Sequence, residues 1–374
     1  MSPLHRTFAA LVVFLVVATA CSGSDGDDTT TSGAIGTTST TTAPASSTTV
    51  STTTTMATTT TQAPGVGAAL TTLPPSTTSP MNGVAALDTN DLDRRVIAVK
   101  IDNHARARPQ SGIQNADAVI EMRVEAGLTR FIALFHDNDA TYVGPIRSIR
   151  PTDSAVIRPL DGTLFVSGGQ QWIQELSVAR GIRLLGEGTG TFRISSREAP
   201  HNLYGDTTAF RDRADSLGFD DDFGVPLFEL GDWELPDDEA EEIRLTWSDE
   251  TTVTWRYEDD EYVRHLGTSD TSHDWIDSQG TRAPITTDVL VVVTGEFSTT
   301  LPPGDSGSGV PSTSVVGSGD AYVFAAGRVW QGSWERDAID ETFRLVDSEG
   351  NDAVVPPGTP WISVFPSEST ITWS

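Results

Sequence analysis

From Ser22 to Asn90, 23 Thr and 9 Ser fill 32 of 69 positions, broken by Pro44, Pro64, Pro74, Pro75 and Pro80 and almost empty of large apolar side chains. Such a segment buries too little apolar surface to offset its ordering entropy, so it reads as a disordered tether. A random coil of this length spans about 45 Å, from ~5–6 Å × √n. Runs such as Thr52–Thr55 and Thr58–Thr61 suit either a bare spacer or an O-glycosylated stalk. Folding is therefore expected in residues 91–374, which are long enough for two cores.

Ahead of the tether, His5 and Arg6 precede an apolar run from Phe8 to Val17 that closes on Ala18-Thr19-Ala20 directly before Cys21. The run is too short to span a bilayer and has the layout of a signal peptide, assigned to residues 1–20. Its end resembles a bacterial lipobox, although Ala18 stands where Leu is usual. Cys21 is the only cysteine of the chain and is the expected lipidation site. Two acyl chains, at ~0.8 kcal/mol per buried methylene, would hold stably where one holds marginally. The expected address is extracytoplasmic, lipid-anchored to the outer face of the cytoplasmic membrane.

A single Cys leaves no intrachain disulfide or thiolate cluster. With 52 Asp+Glu against 24 Lys+Arg, a net of −28, the chain lacks the basic stripe of a general nucleic-acid binder. The charge is unevenly spread. Residues 91–231 hold 20 acidic and 16 basic side chains, residues 232–374 hold 28 and 7, and eight of nine Trp lie in the second stretch. The boundary is placed there, between an N-terminal domain at 91–231 and an acidic C-terminal domain at 232–374, with the tether at 21–90.

Val96–Ile101 is a continuous apolar run ending in Asp102-Asn103, as a buried central strand would. At Ala118–Val124, Ile120, Met122 and Val124 alternate with Glu121, Arg123 and Glu125, which predicts one buried and one charged face. Phe131–Phe135 and Leu164–Val166 read as further strands. Helices fit Gln170–Arg180, with Trp172, Leu176 and Ala179 on one face, and Thr207–Leu217. The second stretch shows short β-rich pieces at Thr252–Tyr257, Tyr262–Leu266, Val289–Thr294, Ala321–Ala325, Thr342–Val346 and Trp361–Phe365, separated by turn signals. The expected fold is an α/β or α+β N-terminal domain followed by a predominantly β C-terminal domain.

Several ordered motifs are specific. Val99–Gly112 reads Val-Lys-Ile-Asp-Asn-His-Ala-Arg-Ala-Arg-Pro-Gln-Ser-Gly, followed by Glu125-Ala-Gly-Leu-Thr-Arg-Phe131, Gly144-Pro-Ile-Arg-Ser-Ile-Arg-Pro151 and Ala199-Pro-His-Asn-Leu-Tyr204. Trp255–Arg264, Gly332–Arg336 and Gly358–Ile362 continue the pattern. Together they resemble the YerB-like family of bacterial lipoproteins, built from two domains of unknown function, over nearly all of residues 80–374. The resemblance implies the lipoprotein address and the two-domain layout. It implies no activity.

Candidate site residues come from chemistry. Asp102, Asn103, Arg108 and Gln110 lie in the loop beyond the carboxyl end of a strand, where α/β sheets bind ligands; an Asx turn explains them equally. Gly168 and Gly169 join a strand to a helix and could present amides to an anion, or simply turn the chain. Arg147, Arg150 and Arg158 flank Ser148 and suit phosphate or carboxylate, or else pair with Glu121 and Glu125, and Arg130 joins the candidate cleft. Four strand steps of ~3.3 Å put Glu121 and Glu125 about 13 Å apart, too far for the ~5–9.5 Å of a glycosidase pair. His201, next to Asn202, is the best general-base candidate, though a loop-pinning role is the plainer reading. No residue is assigned as catalytic. The His spacing and acidic runs give no metal site, and no cofactor is expected.

These observations favour a non-enzymatic binding or scaffold protein, membrane-held through its lipid, whose partner is a cell-wall polymer or an envelope protein. One alternative is a hydrolase or transferase acting on peptidoglycan or attached polymers. Another is a regulatory partner of a second envelope enzyme.

Overall fold

The computed structural model describes residues 77–86, 92–305 and 307–374. Cys21, the signal peptide and most of the Thr-rich stretch lie outside them. Residues 77–86, which composition groups with the tether, pack onto the body. Met81 is 7% exposed and joins the core, while Asn82 Nδ2 donates to the Asp117 carbonyl at 3.1 Å.

The first half supplies β1 (Ile97–Asp102), β2 (Ala118–Arg123), β3 (Thr129–Phe135), β4 (Thr163–Phe165), β5 (Arg183–Leu185), β6 (Thr191–Arg193) and β7 (Leu203–Gly205). Three short helices accompany them: α1 (Pro151–Val156), α2 (Gln171–Ala179) and α3 (Thr207–Ser216). The second half is built of strands, with a 3-10 turn at Pro303–Asp305: β8 (Glu242–Ser248), β9 (Thr251–Glu258), β10 (Glu261–Leu266), β11 (Asp274–Ile276), β12 (Arg282–Pro284), β13 (Thr286–Thr287), β14 (Val289–Gly295) and β15 (Phe297–Thr300). It continues through β16 (Val310–Thr313), β17 (Gly317–Ala325), β18 (Arg328–Arg336), β19 (Arg344–Val346), β20 (Asp352–Ala353), β21 (Pro360–Pro366) and β22 (Thr370–Trp373). The protein is mostly sheet, with the expected β-rich C-terminal part.

One mixed sheet of eleven strands runs β20-β19-β18-β17-β14-β21-β2-β3-β1-β4-β5, so both halves of the chain contribute to it. The seam is the parallel pairing of β2 with β21, Val119 opposite Trp361 through Met122 opposite Val364. A second sheet, β13-β10-β9-β8-β22, has its own alternating inward face. Trp247 and Trp255 from this sheet share a buried cluster with Val119, Phe131 and Trp361 of the large one. Four of the tryptophans, 247, 255, 334 and 361, are fully buried and serve as core.

This arrangement corrects two sequence expectations. Glu121 was placed on a charged strand face, yet it is 0% exposed, because the second sheet covers that face of β2. Strand periodicity predicts which residues share a face but not what the far end of the chain lays over it. In α2 the buried residues are Ile173 and Ser177 rather than Trp172, Leu176 and Ala179. Ser177 tolerates the interior because its hydroxyl donates to the Ile173 carbonyl at 2.8 Å.

Candidate functional site

Strand β4 covers only the first half of β1. Beyond it, residues 143–147 take the neighbouring position: Asp102 N donates to Pro145 O and Arg147 N to Lys100 O. On their far side, Val143 N donates to Gly205 O and Ile146 N to Leu203 O, which docks β7 alongside. His201, just before β7, is thereby carried to the end of β1. Its Nδ1 lies 2.7 Å from Asp102 Oδ2. Arg147 Nε is 3.0 Å from the same oxygen, an ion pair without well-aligned hydrogen-bond geometry. Asp102 Oδ1 accepts from His104 N, and the His104 ring stacks on His201 at 4.8 Å.

A second cluster adjoins the first. Arg130 is the cross-strand partner of Asp102 and donates through Nη1 to Ser148 O at 3.0 Å. Arg150 grips Glu125 at 2.6 Å, and Arg130 stands 3.9 Å from the same carboxylate. Below them Lys100 and Asp153, both fully buried, pair at 2.7 Å. Burial lowers the Lys100 pKa to about 8; Asp153 opposes the fall, and the charges of Arg130 and Arg150 add to it. Arg130 is lowered to about 10, by burial first and then by Arg150. Burial pushes the Glu125 pKa up, but the hydrogen bond and charge of Arg150, with a backbone hydrogen bond and the charge of Arg130, together leave it below the ordinary value.

The glycines fit around the same loop. Gly168 has φ +118°, a conformation that strains an L side chain, and faces open space. At Gly169 an added Cβ would meet Ile149 Cγ2 at 2.6 Å. Ser167 N donates to Arg147 O and Ile149 N to Gly168 O, so this turn braces the Arg147–Arg150 segment.

Asn103, Gln110 and Glu121 belong to a different structure: a closed hydrogen-bond ring between the two sheets. Arg264 Nη1 meets His273 Nδ1, and His273 Nε2 lies 2.8 Å from Gln110 Oε1. Gln110 Nε2 donates to Asn103 Oδ1, Asn103 Nδ2 to Thr129 Oγ1, and Thr129 Oγ1 to Glu121 Oε1 at 2.6 Å. Arg264 Nη2 closes the ring on Glu121 Oε1 at 2.7 Å, and Trp361 Nε1 donates to the other oxygen. Since a guanidinium only donates, His273 accepts at Nδ1 and donates at Nε2, which fixes every direction in the ring. Burial, then the charges of Arg264 and Arg108, hold the His273 pKa well below its ordinary value. Arg108 reaches the ring by donating to Asn103 Oδ1, its own pKa lowered to about 10 by burial first and then by Arg264.

The candidates therefore divide. Asp102, Arg147 and His201 converge, with Arg130, Ser148, Arg150, Glu125 and Gly168 beside them. Asn103, Arg108, Gln110 and Glu121 join the ring, which fixes structure. Glu125 is not on the strand but in a turn beyond β2, held by Arg150, so it forms no acid/base couple with Glu121. Asn202 accepts from Arg193 and pins the β6–β7 hairpin instead of facing Asp102. Thr129, Arg264, His273 and Trp361 were not anticipated. One signal was available for Arg264: it shares the inward face of β10 with Tyr262, where a charge calls for a buried partner.

Chemically, the convergence offers an imidazole oriented by a carboxylate and a guanidinium ion-paired on its Nε side to the same carboxylate. Neither the Arg147 Nη atoms nor His201 Nε2 bonds to a protein group among the described residues. Among those residues, no group of three or more His, Cys, Asp or Glu could hold a metal ion.

Comparison with known proteins decides the family. A family model described as a protein of unknown function, DUF3048 N-terminal domain, matches residues 81–220, and its C-terminal counterpart matches 243–362. The chain belongs to the YerB-like family. A relative from Bacillus subtilis (strain 168), named "Putative lipoprotein YerB", is 34% identical over 132 residues, 34% of this chain and 40% of that protein. The match thus spans about two-fifths of the relative's length. The crystal structure of the YerB protein from Bacillus subtilis superposes with a TM-score of 0.66 at 23% identity, covering 79% of this chain and 99% of that one, which speaks to the fold alone. In this member of the family, the Arg147–Asp102–His201 cluster lies wholly in the first matched segment, whereas the ring joins both.

Proposed function

We propose that this protein is an envelope lipoprotein whose body binds an anionic group, phosphate or carboxylate, of a cell-wall polymer at the mouth formed by Arg147, His201 and Arg150. The lipoprotein address is supported by the family and by the lipobox-like end of the signal. One observation carries the binding reading: Arg147 is ion-paired to Asp102 on its Nε side, while both Nη atoms stay unbonded to protein among the described residues, on a side chain 22% exposed. A guanidinium presented this way forms paired, charge-assisted bonds to a phosphate or carboxylate without rearranging. Arg130 and Arg150 add positive potential at the same place, against an acidic background that excludes casual anions.

The test is co-sedimentation of the full-length protein with isolated cell walls, before and after chemical removal of their anionic polymers. Retention on intact walls and release from stripped walls support the reading. Equal retention on both rejects it.

The His201–Asp102 contact favours one second reading, a hydrolase in which His201 Nε2 accepts a proton from water. New products from defined wall fragments, abolished in His201→Ala, would replace binding with catalysis. Retention on purified envelope proteins rather than walls would point to a regulatory partner.

A further inference from the structure

A cavity of about 190 Å³ opens where the two halves of the chain meet, on the far side of β2 from the arginine mouth. Its walls come from distant segments: Gln114 from the turn before β2, Glu261 from the start of β10, Trp275 from β11, Thr286 from β13 and Asp288 just before β14. Ile285 and Trp361 supply apolar floor. The Trp275 strand is tied to the first half by Ile276 N donating to Gln110 O, so the indole is set by the folded seam and not by a loose loop.

The lining has a particular chemistry. Gln114, Glu261 and Thr286 are exposed, and their side chains bond to no other group among the described residues. Asp288 Oδ2 accepts from Thr359 N, and its Oδ1 bonds to no group among the described residues. Trp275 is half-buried, its indole N–H also unengaged among the described residues. No lining residue is basic. A half-buried aromatic wall packs on the C–H face of a sugar ring, and side-chain carboxylates and amides satisfy pairs of ring hydroxyls. The absence of a cation among the lining residues disfavours an anionic ligand, and the volume is that of a single ring.

We infer that this cavity is a carbohydrate subsite that takes one neutral pyranose of a glycan, against Trp275 and between Gln114, Glu261 and Asp288. The inference goes beyond anion binding at Arg147 and does not need it.

Titration of the full-length protein with N,N′,N″-triacetylchitotriose and with maltotriose, followed by calorimetry and by the indole N–H resonances, tests it. At least one sugar is expected to bind saturably and to shift the Trp275 indole. Trp275→Ala and Gln114→Ala are each expected to weaken binding about tenfold, the scale of ~1.4 kcal/mol. Because Trp275 also packs locally, the exposed Gln114 is the variant that keeps the fold. Arg147→Ala is expected to leave sugar affinity unchanged, which separates failure here from failure of the anion reading. The inference is overturned if neither sugar binds saturably, if both substitutions leave affinity intact, or if a lysine-bearing peptide occupies the cavity in preference to either sugar.

Discussion

Replacing Glu121 by alanine tests whether the ring holds the two halves of the chain together. Arg264 is fully buried and its guanidinium lies 5.2 Å from the Trp361 ring and 5.7 Å from that of Trp255, so removing Glu121 strands a charge in an aromatic cage. Thr129 and Trp361 lose their acceptor at the same time. Breaking one partner of such a pair costs about 3–5 kcal/mol, a large share of the ~5–15 kcal/mol available to a folded domain. The double variant Glu121→Met with Arg264→Met removes both charges and is expected to recover at least half the loss, because replacing a whole buried pair by apolar groups is often nearly neutral. Urea unfolding followed by Trp fluorescence reads the effect directly. A cost below about 1 kcal/mol for Glu121→Ala, or a double variant worse than either single one, would refute the reasoning.

Three further outcomes follow from named contacts. His273 and His136 both have folded pKa values below the free one, chiefly through burial. The unfolded chain therefore takes up protons first, so stability is complete above about pH 6.5 and falls below it by up to ~1.4 kcal/mol per pH unit for each group. Thermal melts from pH 8 to 5 check this, with His273→Gln flattening the slope. Gly169→Ala is expected to cost about 1–3 kcal/mol through its clash with Ile149, and Gly168→Ala about 1 kcal/mol through its backbone conformation alone, measured by chemical denaturation. Met81→Ala is expected to cost about 2–3 kcal/mol, since Met81 belongs to the buried core cluster that also holds Ile120 and Leu134; an unchanged melting temperature would return residues 77–86 to the tether.

What the sequence disclosed follows the range of its signals. β1 was legible because both its faces are buried, which writes a continuous apolar run, and the three arginines of the mouth stood in motifs close along the chain. Glu121 was misread because the sheet that covers it arrives from residues 242–287 and 370–373, and no local pattern announces such a contact. His201 was picked out for its own chemistry, yet its contact with Asp102 spans 99 positions and depends on residues 143–147 lying between β1 and β7. The ring was invisible for the same reason. It links His273 to Gln110 and Arg264 to Glu121 over 163 and 143 positions. Composition marked the charge change near residue 232, but the strands on either side of it enter one sheet.

Binding at the mouth is tested most directly by calorimetric titration of the full-length protein with a soluble phosphodiester wall fragment, comparing Arg147→Ala with Arg158→Ala, whose guanidinium is occupied by Asp161 at 2.9 Å outside the mouth. Losing a charge-assisted pair of bonds is worth about 1.5–3 kcal/mol, so Arg147→Ala should weaken binding about 10- to 150-fold while Arg158→Ala leaves it within twofold. Equal affinities for all three proteins, or the same loss in both variants, would contradict the account.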